Sequence, residues 1–202
     1  MAVDIASVKR LKELTGVGLT DAKAALDEAK GDFDKALEAM RKKGLTKAEK
    51  RGEREARSGV VGNYNHDGRI GVLVEVNCET DFVARNELFT GLVKDLAMHI
   101  AASNPEFISL DDVPAANKKT ITAEFTAKAK ADVSAGQRTQ KIMGTVVEGM
   151  LKKYYAERCL LEQPFVKNPE QTVGEYVKEH IAKLGENIVV RRFERMVLGE
   201  LV

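Results

Sequence analysis

Along residues 70–76 the apolar side chains alternate, with Ile70, Val72, Val74 and Val76 on one face, and the spacing predicts a strand. From Ala84 they recur at Leu88, Leu92, Leu96 and Ile100, which predicts an amphipathic helix over about 84–102. The period therefore changes from 2 to about 3.6 across Asn77-Cys78-Glu79-Thr80-Asp81-Phe82-Val83. Strand-to-helix junctions are places where a chain reaches the surface, and this one sets an acid beside a bulky aromatic. On the residues alone, Thr80 or Asp81 caps the helix and Phe82 packs beneath it. The strand is the second half of a hairpin over 58–78: Val60, Val61 and Tyr64 lead into Asn65-His66-Asp67-Gly68, whose Asp-Gly pair is a strong turn signal. His66 then faces water.

Upstream, residues 4–44 read as three short helices. Asp4 caps the first, whose stripe is Ile5, Val8, Leu11 and Leu14, and Thr15-Gly16-Val17-Gly18 ends it. Thr20 caps the second, with Ala22, Ala25, Leu26 and Ala29 inward, and Gly31 stops it. Asp32 caps the third, which carries Phe33, Ala36, Leu37 and Met40 and closes at Gly44. The alanines, Ala24 among them, let the helices approach closely. Thr15-Gly16-Val17-Gly18 is not a phosphate loop, because no Gly-Lys-Ser/Thr follows. Residues 1–45 are thus a small bundle resembling the ubiquitin-associated fold, residues 46–57 a charged linker helix, and residues 58–202 an α+β core built on an antiparallel sheet.

Downstream, His99 sits on a mostly apolar face and reads as a core residue. Asn104-Pro105 breaks the helix. Two long helical patterns follow at 117–134 (Ile121, Phe125) and 138–157 (Ile142, Val146, Met150, Leu151, Tyr154), separated by Gly136, so a projecting helical pair is expected. Leu160 to Phe165 reads as extended. Thr172 to Glu175 is a capping box opening a helix with Val173, Tyr176, Val177, Ile181 and Leu184, on which His180 reads as a surface residue and which Gly185 closes. A last strand spans 188–198. Its apolar face is mixed, Val189 and Val190 being interrupted by Arg191, Arg192 and Arg195, so a bulge or a sheet covered on both faces is expected.

Composition removes several function classes. A net charge of +1 gives no bulk electrostatic case for nucleic acid or a membrane surface. No apolar run approaches a bilayer span, and the first residues carry no signal-peptide core, so the cytoplasm is the expected location. Cys78 and Cys159 belong to no metal-spacing motif and read as structural thiols. His66, His99 and His180 are scattered, and neither a nucleophile triad nor a metal cluster can be assembled, so no enzyme, cofactor or metal is expected. The one basic run, Arg41, Lys42, Lys43, Lys47, Lys50, Arg51, Arg54 and Arg57, has no interleaved aromatic on which bases would stack.

Val74 to Phe89 (VEVNCETDFVARNELF) resembles the signature of bacterial elongation factor Ts, the nucleotide-exchange factor family for the translational GTPase elongation factor Tu. LLEQPFVKN from Leu160 and LGENIVVRRFER from Leu184 agree with it, as does the opening from Val8 to Asp32 more loosely. The resemblance implies that Asp81 and Phe82 enter the partner's nucleotide domain, Phe82 as a wedge and Asp81 disfavouring the magnesium arrangement, with Thr80 and Val83 fixing the loop. It implies a second grip by the N-terminal helices, for which Lys9 and Lys12 are the candidates. The opening departs from the family's TGAGMMDCKKAL, having Ala24 in place of the second lysine. The chain is similar to the short members with one core module, which implies a homodimer in a two-plus-two complex, with the last strand at its interface and no nucleic acid or membrane contacted directly. Two other classes stay open: an RNA-binding or ribosome-associated module using residues 41–57, and an adaptor recognising a ubiquitin-like protein through residues 1–45.

Overall fold

The computed structural model describes residues 4–15, 17–134 and 143–200. Among them, in chain order, are α1 (Ile5–Thr15), α2 (Leu19–Glu28), α3 (Phe33–Arg51), β1 (Ser58–His66), β2 (Ile70–Cys78), α4 (Asp81–Ala84), α5 (Glu87–Ser103), α6 (Ala115–Ser134), α7 (Met143–Arg158), β3 (Pro164–Phe165), β4 (Asn168–Thr172), α8 (Val173–Leu184) and β5 (Ile188–Val197). The class is α+β, as the sequence predicts. The chain divides into two compact units, residues 1–101 with 175–202, and residues 102–174. Among the described residues no helix is long and apolar enough to cross a membrane.

In the first unit α1, α2 and α3 enclose a small core of Val8, Leu11, Ala22, Ala25, Leu26, Ala36 and Met40. Asp4 caps α1 through the amides of Ala6 and Ser7 (3.2 Å each), and Asp32 caps α3 through that of Lys35 (3.2 Å). Two details differ from the sequence reading. Helix α2 starts two residues early, at Leu19, with Gly18 as its N-cap and no side chain bonded there, so Thr20 lies inside the first turn. Helix α3 does not end at Gly44 but runs on to Arg51. A Cβ at Gly44 would sit 3.5 Å from Ala182 Cβ of α8, an ordinary van der Waals contact, so the helix passes through this position without a steric demand for glycine. Ala24 is exposed and plays no part in helix contact.

The sheet has the order β1-β2-β5 and is antiparallel throughout. The turn between β1 and β2 places Asp67 at φ 50° and Gly68 at φ 70°, the left-handed pair that a tight hairpin needs, and Arg69 N donates to His66 O (2.9 Å). Its inner face carries Val72, Val74 and Val76, all buried. Helix α5 covers it with Phe89, Leu92, Val93, Leu96, Ala97 and Ile100, and His99 is fully buried as expected. In β5 a register shift opposite Glu75 and Val76 leaves Arg191 unpaired. That bulge reverses the alternation: Ile188 and Val190 point inward before it, Phe193 and Arg195 after it. The expected bulge thus explains the mixed apolar pattern.

His180 corrects the sequence reading. It is buried, with Nδ1 2.8 Å from Tyr176 O, and its ring lies edge-on to that of Tyr176, whose hydroxyl donates to Asp95 Oδ2 (2.8 Å). Its partner is Tyr176, one turn earlier on α8, and Tyr176 is in turn tied to Asp95 of α5.

In the second unit α6 and α7 form the expected helical pair, with Phe125 meeting Tyr154 edge-to-face at 6.0 Å; Gly136 and Ile142 lie outside the described residues. Residues 160–165 are not simply extended. Leu160–Glu162 is a 3-10 turn, and β3 and β4 then form a short hairpin.

Candidate functional site

Strand β2 ends at Cys78 because its inner-face alternation runs out: Asn77 and Cys78 are both buried. Glu79 leaves the sheet, and Thr80 adopts extended backbone (φ −128°, ψ 158°) as the N-cap of α4. Its Oγ1 accepts from Val83 N at 3.5 Å, so the capping part of the sequence reading holds. The packing part does not. Phe82 is 85% exposed, while the inward side of the turn is taken by the half-buried Val83 and buried Ala84.

The expected single helix over 84–102 is two. Arg85 and Asn86 interrupt it, Asn86 capping α5 by accepting from Leu88 N (2.8 Å). Within α5 a four-residue spacing drifts about 40° per step around a 3.6-residue helix, so Leu88 falls at the margin and is half-exposed while Phe89 takes the buried position. The four-residue α4 spends its inward side on Val83 and Ala84, and Phe82 is left exposed to solvent. Asp81 is exposed beside it and lies 3.4 Å from Arg85 across one turn, a surface pair contributing little.

The backbone beneath is held firmly. Glu186 Oε2 accepts from Glu79 N (3.1 Å) and Thr80 N (3.0 Å), and its Oε1 accepts from Thr80 Oγ1 (2.7 Å). In return Glu79 Oε1 accepts from Asn187 N (2.7 Å) and lies 3.6 Å from Arg54 Nη1. Asn187 Nδ2 donates to Gly52 O (3.3 Å) and Arg54 O (2.6 Å). Sequence reasoning assigned no role to Glu79, Glu186 or Asn187, and placed Arg54 only in the basic run. Glu186 and Asn187 stand more than a hundred positions from their partners, so no local pattern pairs them, although an acid abutting Thr80 and a Gly-Glu-Asn turn were both in view.

Thr80, Asp81, Phe82 and Val83 thus share one turn, whereas Lys9 and Lys12 lie on a separate element, both on the exposed side of α1. The chemistry at the turn is that of contact. Cys78 is buried and donates to Thr80 O (3.1 Å), and burial with the neighbouring Glu186 pushes its thiol up from the ordinary range, so it is no nucleophile. Among the described residues no group of side chains has the makings of a metal site. What the turn offers is an apolar projection with a negative charge next to it on a fixed backbone.

The basic run gives less. Arg51 donates to Ile181 O (3.0 Å), Arg54 faces Glu79, Arg57 pairs with Glu55 (2.6 Å) and Lys42 with Glu38 (2.7 Å). The side chains of Arg41, Lys43, Lys47 and Lys50 lie outside the described residues.

The family model "Elongation factor TS" matches residues 5–200. The chain is similar to the elongation factor Ts of Geobacter sulfurreducens, 48% identical over 201 residues covering 99% of this chain and 91% of that protein. It is 46% identical to that of Thermodesulfovibrio yellowstonii over 200 residues, 99% of this chain and 98% of that protein. With that of Acetivibrio thermocellus it shares 52% over 194 residues, 96% and 88% respectively.

Proposed function

The chain belongs to the elongation factor Ts family, a family of translation elongation factors, and from that membership we propose that it promotes GDP release from elongation factor Tu by inserting the Asp81-Phe82 turn beside the nucleotide site. The observation that carries this reading is Phe82, 85% exposed on a turn whose backbone is tied down. Leaving an aromatic in water costs the free protein apolar contact, and that cost is recovered when a partner supplies the pocket.

An exchange factor needs no reaction of its own. It binds the nucleotide-free GTPase more tightly than the loaded one, and by linkage it weakens nucleotide binding by the same factor. In this reading Phe82 opens a packed seam of the partner. Asp81 brings a charge that competes for donors and disfavours the magnesium held by hard oxygen ligands. Thr80 and Val83 fix the entry and exit of the turn. Lys9 and Lys12, with half-exposed Leu14 and Leu19 nearby on the bundle, provide the second grip. The alternative through the basic run is less favoured, because Arg51 and Arg54 are engaged within the protein.

A homodimer, working in the cytoplasm as a two-plus-two complex, completes the proposal. It is supported by exposed Val61, Leu73 and Met196 on the outer sheet face and by the edge position of β5. Sedimentation at micromolar concentration is expected to give a dimer, and a fully active monomer rejects it.

The central test is GDP release from elongation factor Tu. Phe82→Ala removes an anchor of about 2–4 kcal/mol, so exchange falls roughly 30-fold or more with the melting temperature nearly unchanged. Asp81→Ala acts in the same direction and depends more on magnesium concentration. A large loss of stability with normal exchange returns Phe82 to a structural role.

A further inference from the structure

The turn that carries Phe82 is fixed from outside its own segment, and the geometry points to Glu186 as the positioning residue of the exchange site. Its carboxylate sets the attitude at which Phe82 meets the partner. The inference rests on the reading of Phe82 given above. Gly185, at φ +80°, ends α8 with its amide donating to Ile181 O (3.0 Å), and the reversal brings the next side chain to the foot of α4. There one carboxylate gathers three donors, the Glu79 amide, the Thr80 amide and the Thr80 hydroxyl, at 2.7–3.1 Å.

Proton accounting fixes the direction of each bond. The single hydroxyl proton of Thr80 goes to Glu186, whose carboxylate can only accept, and a lone pair of the same oxygen accepts from Val83 N. The first turn of α4 is therefore oriented by an acid 106 positions away. Glu79 returns the arrangement by receiving the Asn187 amide, so residues 79–80 and 186–187 hold each other through two exchanged carboxylates. Asn187 extends the tie to the carbonyls of Gly52 and Arg54 at the foot of α3.

These bonds matter for function because Phe82 has little packing to hold it. At 85% exposure its direction is inherited from the backbone of residues 79–81. A turn already ordered in the free protein pays less to be ordered in the complex. Charge-assisted bonds to backbone amides are the strong kind, and a glutamine of the same shape would present an N–H to one of the donors that the carboxylate now accepts.

Glu186→Gln in the full chain is the test, with GDP release from elongation factor Tu and hydrogen exchange of the free protein both measured. Exchange activity is expected to fall about tenfold, mainly as a higher concentration for half-saturation. The amides of Glu79 and Thr80 lose protection while those of Val72 to Val76 keep theirs. Glu186→Asp, which keeps the charge on a shorter arm, recovers part of the activity. In a Phe82→Ala background Glu186→Gln adds less than about twofold, because the two act through one turn. Equal losses in both backgrounds, or wild-type exchange by Glu186→Gln, overturn the assignment; if Glu186→Gln fails to fold, Glu186→Asp carries the same comparison. Wild-type exchange by Phe82→Ala alone instead overturns the reading on which it rests.

Discussion

Phe82 and Phe89 stand on successive helices, α4 and α5, and their fates are opposite: one is 85% exposed and the other fully buried. Their chemistry is the same, so the difference lies in the backbone under them. Helix α5 is long enough to lay a continuous apolar face on β2, and Phe89 falls on that face. Helix α4 has four residues and turns only Ala84 fully inward, and the backbone at its N-cap is held by hydrogen bonds to Glu186. A binding aromatic can be kept out of the core by anchoring its backbone with hydrogen bonds and giving its side chain nothing to bury against.

The sharpest way to break that comparison is to truncate both aromatics. Phe89→Ala should cost about 3–5 kcal/mol of stability through the cavity it leaves. Phe82→Ala should cost less than about 0.5 kcal/mol, measured by denaturant unfolding of both. Similar losses at the two positions would mean that Phe82 is packed after all. A smaller effect is expected at Gly62 on β1, where an added Cβ would collide with Val93 Cγ1 of α5. Valine has few rotamers with which to give way, so Gly62→Ala should lower stability by about 1–3 kcal/mol while leaving GDP release per folded molecule unchanged.

The smallest effect is in pH. Burial, the largest cause, holds the His180 imidazole below its ordinary 6.5. Lys183 adds to this, whereas the bond to Tyr176 O, Glu179 and Asp95 oppose it. With the folded-state value depressed, the unfolded chain binds the proton more readily, so stability is complete above about pH 6.5 and declines as pH falls. The melting temperature should drop between pH 7 and 5, and less steeply in His180→Gln. The exchange turn holds no comparable group, so GDP release by the folded fraction should not follow that drop.

How much of this was legible in the sequence depended on how local the deciding force was. The hairpin was legible because Asp67-Gly68 and strict alternation act over a few residues. The bulge was legible because Arg191 and Arg192 break that alternation in place. The division of the 84–102 helix was missed: Leu88 kept the period, while the cap at Asn86 that overrides it is a side-chain bond which periodicity does not register. The passage of α3 through Gly44 was missed because glycine weakens a helix interior by only about 1 kcal/mol, which does not stop a helix that continues on both sides. The burial of His180 and the bonds between Glu186 and Thr80 join distant segments, where chain order carries no signal. The exposed turn itself came from the family resemblance, which set the local packing argument aside.

The continuity of α3 has a consequence in phase. At a rise of about 1.5 Å per residue, its 19 residues make a rod about 28 Å long with the bundle's Ala36 and Met40 at one end and Arg51, fastened to Ile181, at the other. Along such a rod, length and direction are geared together. Removing one residue from the stretch between Met40 and Arg51 would draw the bundle in by only about 1.5 Å but turn it by about 100°, carrying Lys9 and Lys12 to a different side of the molecule. Removing a near-whole turn of four would shorten the rod by about 6 Å and return the lysines to within about 40° of their original heading.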